Sequence, residues 1–267
     1  MRVFVIGDVH GSYQELRSLF KALQPEANDK FVFLGDLVDK GLHTLKTLRY
    51  VRALLDYYPG SVSIAGNHES KALERLRQDK KHKGEPWYME ATDEDWAFIK
   101  SMPLYHRIPG LNAIAVHGGF FPRFFKLYPE GLDDKRLLGQ PDWQRKGGKY
   151  VKRARRFQYV RYINTETGDM LPLGEEGPDT PHWSDLYDGR EGFAFYGHDP
   201  QQSGNPKVSE HAVGVDTSAV SGMFLTAAVL TPKDGGEFDL SYAQVAATEE
   251  TVEAYHQLRQ RIDLERE

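Results

Sequence analysis

The residues best equipped for chemistry in this chain are acids and histidines that recur in short clusters beside glycine. Asp8 and His10 lie in Gly7-Asp8-Val9-His10-Gly11, and Asp36, Asp39 and Lys40 lie in Gly35-Asp36-Leu37-Val38-Asp39-Lys40-Gly41. Asn67 and His68 lie in Gly66-Asn67-His68-Glu69, His117 opens His117-Gly118-Gly119, and His198 follows Gly197. Asp8, His10, Asp36, Asn67, His117 and His198 form a donor set of oxygen and nitrogen without sulfur. Such a set suits manganese, iron, zinc or cobalt, and the Irving–Williams order leaves the choice among them open. Six donors also exceed the four of a closed structural zinc site. A shared carboxylate such as Asp36 would hold two ions about 3.5–4 Å apart, the spacing used for in-line attack on phosphorus by a metal-bridging hydroxide. Asp39 and His68 then take a second role, since a histidine oriented by a carboxylate can protonate the leaving oxygen. Lys40 would be the cation nearest the transferred phosphoryl group. Taken singly, Gly-Asp-x-His-Gly reads as a turn and His117 as a buried histidine. The recurrence of five such clusters is what points to a site.

The elements that must position these clusters are legible from periodicity. Val3 to Ile6, Phe31 to Leu34 and Ser61 to Ala65 are short apolar, partly β-branched runs that read as strands. Between them, Leu16, Leu19, Phe20 and Leu23, and then Leu45, Leu48, Val51 and Leu55, recur at helical spacing. Ser12 with Glu15 predicts a capping box at the first helix, and Pro59-Gly60 a stop after the second. Strand, helix, strand, helix, strand predicts a parallel sheet with right-handed crossovers. The carboxyl ends of parallel strands share one edge, so the first three clusters should converge there. Ala113 to Val116 and Phe193 to Tyr196 repeat the pattern before His117 and His198. Strand-like runs at 211–215, 224–230 and 238–245 follow. A helix carrying Val252, Tyr255, Leu258 and Ile262 is predicted around 249–264. Glycines beside each donor allow tight strand-to-loop turns.

Composition excludes several classes. With 40% hydrophobic and 27% charged residues the chain of 267 residues is of the globular kind. A net charge of -5 excludes a polycation that coats nucleic acid. With no cysteine in the chain, disulfide scaffolds, thiolate zinc sites and cysteine nucleophiles are all excluded. Asp8 interrupts the first apolar run too early for a signal peptide, and the stretch from Ala219 to Leu230 is too short to span a bilayer. The expectation is a cytoplasmic enzyme without a membrane partner.

These residues resemble the calcineurin-like metallophosphoesterases, specifically the phosphoprotein phosphatase branch. That branch's motifs Gly-Asp-x-His-Gly, Gly-Asp-x-x-Asp-Arg-Gly, Gly-Asn-His-Glu, His-Gly/Ala-Gly and a final histidine match residues 7–11, 35–41, 66–69, 117–119 and 198. The resemblance implies an α/β fold, a four-layer αββα sandwich of the metallophosphoesterase type, in place of a simple doubly wound sheet. It implies Asp8 and His10 as ligands of one metal, Asp36 as the bridge, and Asn67, His117 and His198 as ligands of the second. His68 with Asp39 resembles the acid pair. Two divalent ions are expected, manganese first. The second half is similar to symmetrical diadenosine tetraphosphate hydrolases at Val160-Arg161-Tyr162, Trp183, Tyr196-Gly197-His198 and Val215-Asp216-Thr217. Arg161 then resembles a phosphate-binding arginine, alongside Lys40 and Asn67. Lys40 stands where most of the branch has arginine, and its ammonium cannot grip two phosphate oxygens as a planar fork does. In this it is similar to the ApaH-like phosphatases, whose substrates are diverse.

The reading is therefore one metallophosphoesterase domain over 1–267 with a basic, cap-like insertion around 140–182. The run from Arg145 to Arg161 holds eight cations with Tyr150, Phe157 and Tyr159 among them. It reads either as a cap for nucleotides, polyphosphate or RNA ends or as a solvated face. Nucleotide anhydrides of the diadenosine tetraphosphate type are the expected substrates. A serine/threonine protein phosphatase acting on phosphoproteins is the alternative, and a non-catalytic nucleic-acid or partner-binding module is the third option. Oligomeric state and metal identity are not encoded in any of these motifs.

Overall fold

The computed structural model describes residues 1–79, 85–137 and 148–264, the side chains of 258–264 excepted. Arg145 and Lys146, the start of the basic run, lie outside the described residues. Two five-stranded sheets form the centre. In the first, β1 (Val3–Ile6), β2 (Lys30–Phe33) and β3 (Val62–Ser63) are parallel, as the alternation with helices predicts. The expected strand 61–65 shortens to β3, although Ile64 N still donates to Phe33 O at 3.0 Å. In the second sheet, β5 (Ala113–Val116), β6 (Phe193–Tyr196) and β8 (Ala212–Gly214) are likewise parallel.

Antiparallel strands finish one edge of the first sheet and both edges of the second. β9 (Phe224–Pro232) pairs with β1 on one side and with β10 (Phe238–Ala246) on the other. β4 (Tyr105–Arg107) and β7 (Lys207–Val208), neither expected from the sequence, edge the second sheet. Both sheets are thus mixed, and the expectation of a purely parallel sheet holds only for β1–β2–β3 and for β5–β6–β8.

Alternation along β1 explains why the two sheets stack. Val3 and Val5 join Val32, Leu34, Ala115, Phe195, Val213 and Val215 in one buried cluster between the sheets. Phe4, Ile6, Phe31 and Phe33 point the other way, into a core shared with α1 (Tyr13–Leu23) and α2 (Thr44–Tyr57). Side chains of period two bury both faces of a strand when each face finds a layer. The far side of the second sheet is covered by short helices and aromatic loops. There Trp183 lies 4.9 Å from Tyr196 and Phe157 lies 4.7 Å from Phe124, ring centre to ring centre. The result is the αββα sandwich.

Two local expectations change. Ser12 makes no capping hydrogen bond, and the Glu15 side chain is turned away toward Thr248. Glu15 Oε1 accepts from Thr248 N at 2.8 Å and from Thr248 Oγ1 at 2.9 Å, anchoring the start of the C-terminal helix Glu249–Leu264. The basic stretch also departs from a free-standing cap. Its described part forms a helix (Lys149–Ala154) and a 3-10 turn (Arg155–Gln158) that bury Tyr150, Val151, Ala154 and Phe157. Arg156 pairs with Asp169 at 2.6 Å, and Arg153 donates to the Tyr128 hydroxyl at 3.2 Å. Most of the aromatic residues in the run are core, which a charge count could not reveal.

Candidate metal centre

Each strand that ends near the junction of the two sheets delivers one cluster, and backbone hydrogen bonds sew the clusters together. Val9 N and His10 N both donate to Asp36 O, at 3.2 and 2.8 Å, and Gly11 N donates to Leu37 O at 3.0 Å. Glu69 holds the next seam from α3 (Asn67–Arg77). Its carboxylate accepts from Asp36 N, Leu37 N and Gly66 N, each at 2.8 Å. His198 N donates to both oxygens of Asp8 at 3.1 Å, joining the second sheet to the first. The glycines serve this closeness more than they serve turns. A β-carbon on Gly66 would stand 2.1 Å from Asp36 Oδ1, and one on Gly197 would stand 2.0 Å from Asp8 Oδ1. Gly11, Gly35 and Gly119 also take the positive φ of tight turns, and the remaining unusual backbone falls largely on the candidate site residues. Of the eight non-glycine residues with positive φ among the described residues, five are His10, Asp36, Asp39, Lys40 and His198. Such conformations each cost about 1–3 kcal/mol and persist where surrounding structure enforces them.

The side chains converge as two groups that share Asp36. Ligand atoms of His10, Asp36 and His68 lie within 4.8 Å of one another, and so do those of Asp36, His117 and His198. Asp8 joins the first group, its Oδ2 3.8 Å from His10 Nε2. Asn67 joins the second, its Oδ1 2.9 Å from His117 Nε2 and 2.9 Å from His198 Nδ1. His10 Nδ1 donates to Val38 O at 2.9 Å and His117 Nδ1 to Leu34 O at 2.6 Å. A carbonyl can only accept, so both rings turn Nε2 toward the carboxylates, as metal-binding histidines do. All six expected donors are therefore brought together.

The electrostatics of this cluster suit cations. Burial, then the charge of Asp216, pushes the Asp8 carboxyl well above the usual carboxylate range. Asp36 is held well below that range, because His117 and His68 outweigh the burial that opposes them. Burial first, and Lys40 second, keeps His10 neutral, and burial with the charge of His117 does the same for His198. A neutral imidazole is the form that binds metal. For His117 burial is overcome by Asp36 and Asp8, which push it up to about 10, so a bound cation must displace its proton. Crowded buried carboxylates facing the neutral imidazoles of His10 and His198 make the donor set fit divalent ions.

The other predicted residues fall around this core. His68 Nδ1 lies 2.7 Å from Asp39 Oδ2, and Asp39 Oδ1 accepts from Trp87 Nε1 at 2.8 Å. Lys40 Nζ lies 2.8 Å from His10 Nε2, so its cation reaches into the first group. Arg161 sits at the second group, its Nη2 donating to His198 O at 2.7 Å.

Sequence reasoning missed three contributors. Asp216, buried just past the end of β8, faces the cluster, and its place after a strand-like run was the available signal. Glu69 sits in a quoted motif, but its role depends on the neighbouring loop. Gln158 gave no signal at all. Its Nε2 donates to Ala65 O at 2.7 Å and to Gly66 O at 2.8 Å, while Gly118 N and Gly119 N both donate to Phe157 O at 2.8 Å. The end of the basic run therefore clasps both sheets beside the site.

Residues 1–211 match the calcineurin-like phosphoesterase family, and the chain belongs to it. That family depends on a binuclear metal centre. Among individual proteins, the chain is 32% identical over 130 residues to the symmetrical bis(5'-nucleosyl)-tetraphosphatase of Psychromonas ingrahamii, covering 46% of either chain. It is 30% identical over 254 residues to the asymmetrical bis(5'-nucleosyl)-tetraphosphatase of Oceanobacillus iheyensis, covering 85% of this chain and 88% of that one. The chain thus spans about half the length of the first relative and most of the second. Among solved structures, a crystal structure of a candidate diadenosine tetraphosphatase shares the fold with a TM-score of 0.65 at 23% identity, covering 93% of this chain and 94% of that one.

The seam held by Glu69 yields a prediction. Glu69→Gln turns one acceptor into an amide donor facing backbone N–H groups, which is a buried mismatch. Calorimetric titration with Mn2+ should show affinity reduced by about 10–100-fold, the usual effect of losing a group that orients metal ligands. Unchanged affinity would mean that Asp36 is positioned without Glu69.

Proposed function

We infer that this chain is a metal-dependent phosphohydrolase acting on phosphoric anhydrides of nucleotides. The observation that carries the reading is Asp36, which belongs to both donor groups and so can serve two cations at once. With Asp8, His10 and Asp36 on one side and Asp36, Asn67, His117 and His198 on the other, two divalent ions would supply Lewis acidity and an activated water for in-line displacement at phosphorus. Manganese is the first ion to test, with iron, zinc or cobalt as alternatives.

The chain's own residues then divide the remaining work. His68 gives its Nδ1 proton to the hydrogen bond with Asp39, which leaves Nε2 to carry the proton for the departing oxygen. Trp87 fixes Asp39 in turn. Arg161 and Lys40 bring positive charge to the phosphoryl oxygens, and the amide of Asn67 adds a neutral donor. The nucleotide substrate is supported by the relatives' names, and the longer of the two alignments covers most of this chain. A protein phosphatase remains the competing reading, since a protein phosphatase 2A of Dictyostelium discoideum is 29% identical in its catalytic chain over 177 residues. A binding module without catalysis would have no use for six complete donors.

Three experiments test these roles. Asp36→Asn replaces the shared anion with a neutral amide that cannot offset two cations. Hydrolysis of an aryl phosphate under saturating Mn2+ should fall by at least about 10²-fold. Near-normal turnover would remove the two-metal reading.

His68→Ala should slow an alkyl phosphate by about 10²–10⁴-fold, the usual worth of general acid catalysis, and an aryl phosphate far less, because a good leaving group departs without a proton. Equal losses on the two esters would assign His68 another role.

For substrate class, kcat/KM should be higher for diadenosine tetraphosphate than for a phosphoserine peptide, and Arg161→Ala should narrow the difference. A higher value for the peptide would promote the protein-phosphatase reading.

A further inference from the structure

A cavity of about 370 Å³ opens beside the second donor group, bounded by Asn67, His198, Arg161, Tyr159, Tyr162 and Leu173. Asn67 and His198 belong to the proposed metal centre, so a molecule with a phosphoryl group at that centre can continue directly into this space. Its next atoms would meet the Arg161 guanidinium. That fork spends one N–H on His198 O and turns Nε toward Asp199 Oδ1 at 3.6 Å, which leaves the N–H groups of Nη1 for a second phosphate.

The rest of the lining differs in character, and Tyr159 begins it with its ring centre 6.3 Å from that of His198. Tyr159 and Tyr162 present aromatic rings, and Met170, Leu171, Pro172 and Leu173 add an apolar wall. Leu173 is 75% exposed, which is unusual for leucine and leaves its side chain available to a ligand. Glu176 closes the lining; its Oε2 already accepts from Gly174 N, so Oε1 is the oxygen left to receive a hydroxyl or amine proton.

A cation, a flat apolar surface and a hydrogen-bond acceptor in one cavity match one kind of molecule. Resting on the phosphohydrolase reading above, we propose that this cavity receives the nucleoside that adjoins the phosphate chain. The base lies against the tyrosines and the 170–173 wall, the phosphate next to it meets Arg161, and Glu176 accepts from the sugar or an exocyclic amine. The volume is near the lower end of the roughly 300–1,000 Å³ common for small-molecule sites, enough for one nucleoside and too little for two. The second nucleoside of a dinucleotide therefore lies outside it. An inorganic polyphosphate would leave the apolar wall unused.

The test compares two anions with the same number of phosphates. The full chain loaded with Mn2+ is titrated calorimetrically with ADP and with inorganic pyrophosphate. ADP should bind about tenfold more tightly, the effect of one well-buried apolar group. Leu173→Asp, at an exposed position that the fold does not need, should erase most of that difference without weakening pyrophosphate, and Leu173→Met should keep it. Equal affinities on the wild type, or an intact difference in Leu173→Asp, overturns the proposal. A phosphopeptide that binds more tightly than ADP and loses that advantage in Leu173→Asp also overturns it, in favour of a peptide groove. Because binding is measured directly, a preference for ADP without any phosphate hydrolysis would sustain the pocket and remove only the phosphohydrolase reading.

Discussion

The crowding of Asp8, Asp36 and Asp216 in a nearly dry space is the constraint around which this molecule is built. Buried carboxylates repel one another and lose their hydration, so an isolated cluster of this kind costs several kcal/mol per ion. His117 offsets part of that cost by holding a proton between Asp36 and Asp8. The same unfavourable electrostatics that would destabilise an ordinary core would be relieved by a bound cation.

Holding charges so close requires a rigid frame, and the frame is visible in the backbone. Left-handed conformations at His10, Asp36, Asp39, Lys40 and His198 aim side chains inward from sharp turns. Glu69 ties down the second and third loops, Gln158 and the Phe157 carbonyl bridge the sheets, and glycines let loops approach within contact of carboxylate oxygens. Strain in one loop is balanced by hydrogen bonds from the next, so the loops behave as one unit. A residue such as Glu69, which touches no phosphate, thereby shares in the geometry of every donor around Asp36.

Around the centre the cations differ in kind. Lys40 is a point charge on a flexible stem and reaches His10, while Arg161 is a planar fork fixed against the second sheet. Under the proposed function the two would divide the work, Lys40 following phosphates of varied geometry and Arg161 holding one orientation.

The sequence by itself determined the inventory. Strand-ending clusters at Asp8, Asp36, Asn67 and His117 could be read because period-two strands and helical spacing are local, and a parallel arrangement sends every such cluster to one edge. The antiparallel edges formed by β4, β7, β9 and β10 were not so legible, since pairing direction depends on partners far along the chain. Only tertiary structure decided that Glu15 would leave the first helix's cap for Thr248, and that Asp216 would join the carboxylates. The same is true of the basic run, which turns its aromatic residues into the core and leaves Arg161 at the site. In each case the side chain's partner lies dozens to hundreds of residues away. A local pattern records what a residue can do, while folding selects which of its distant neighbours it meets.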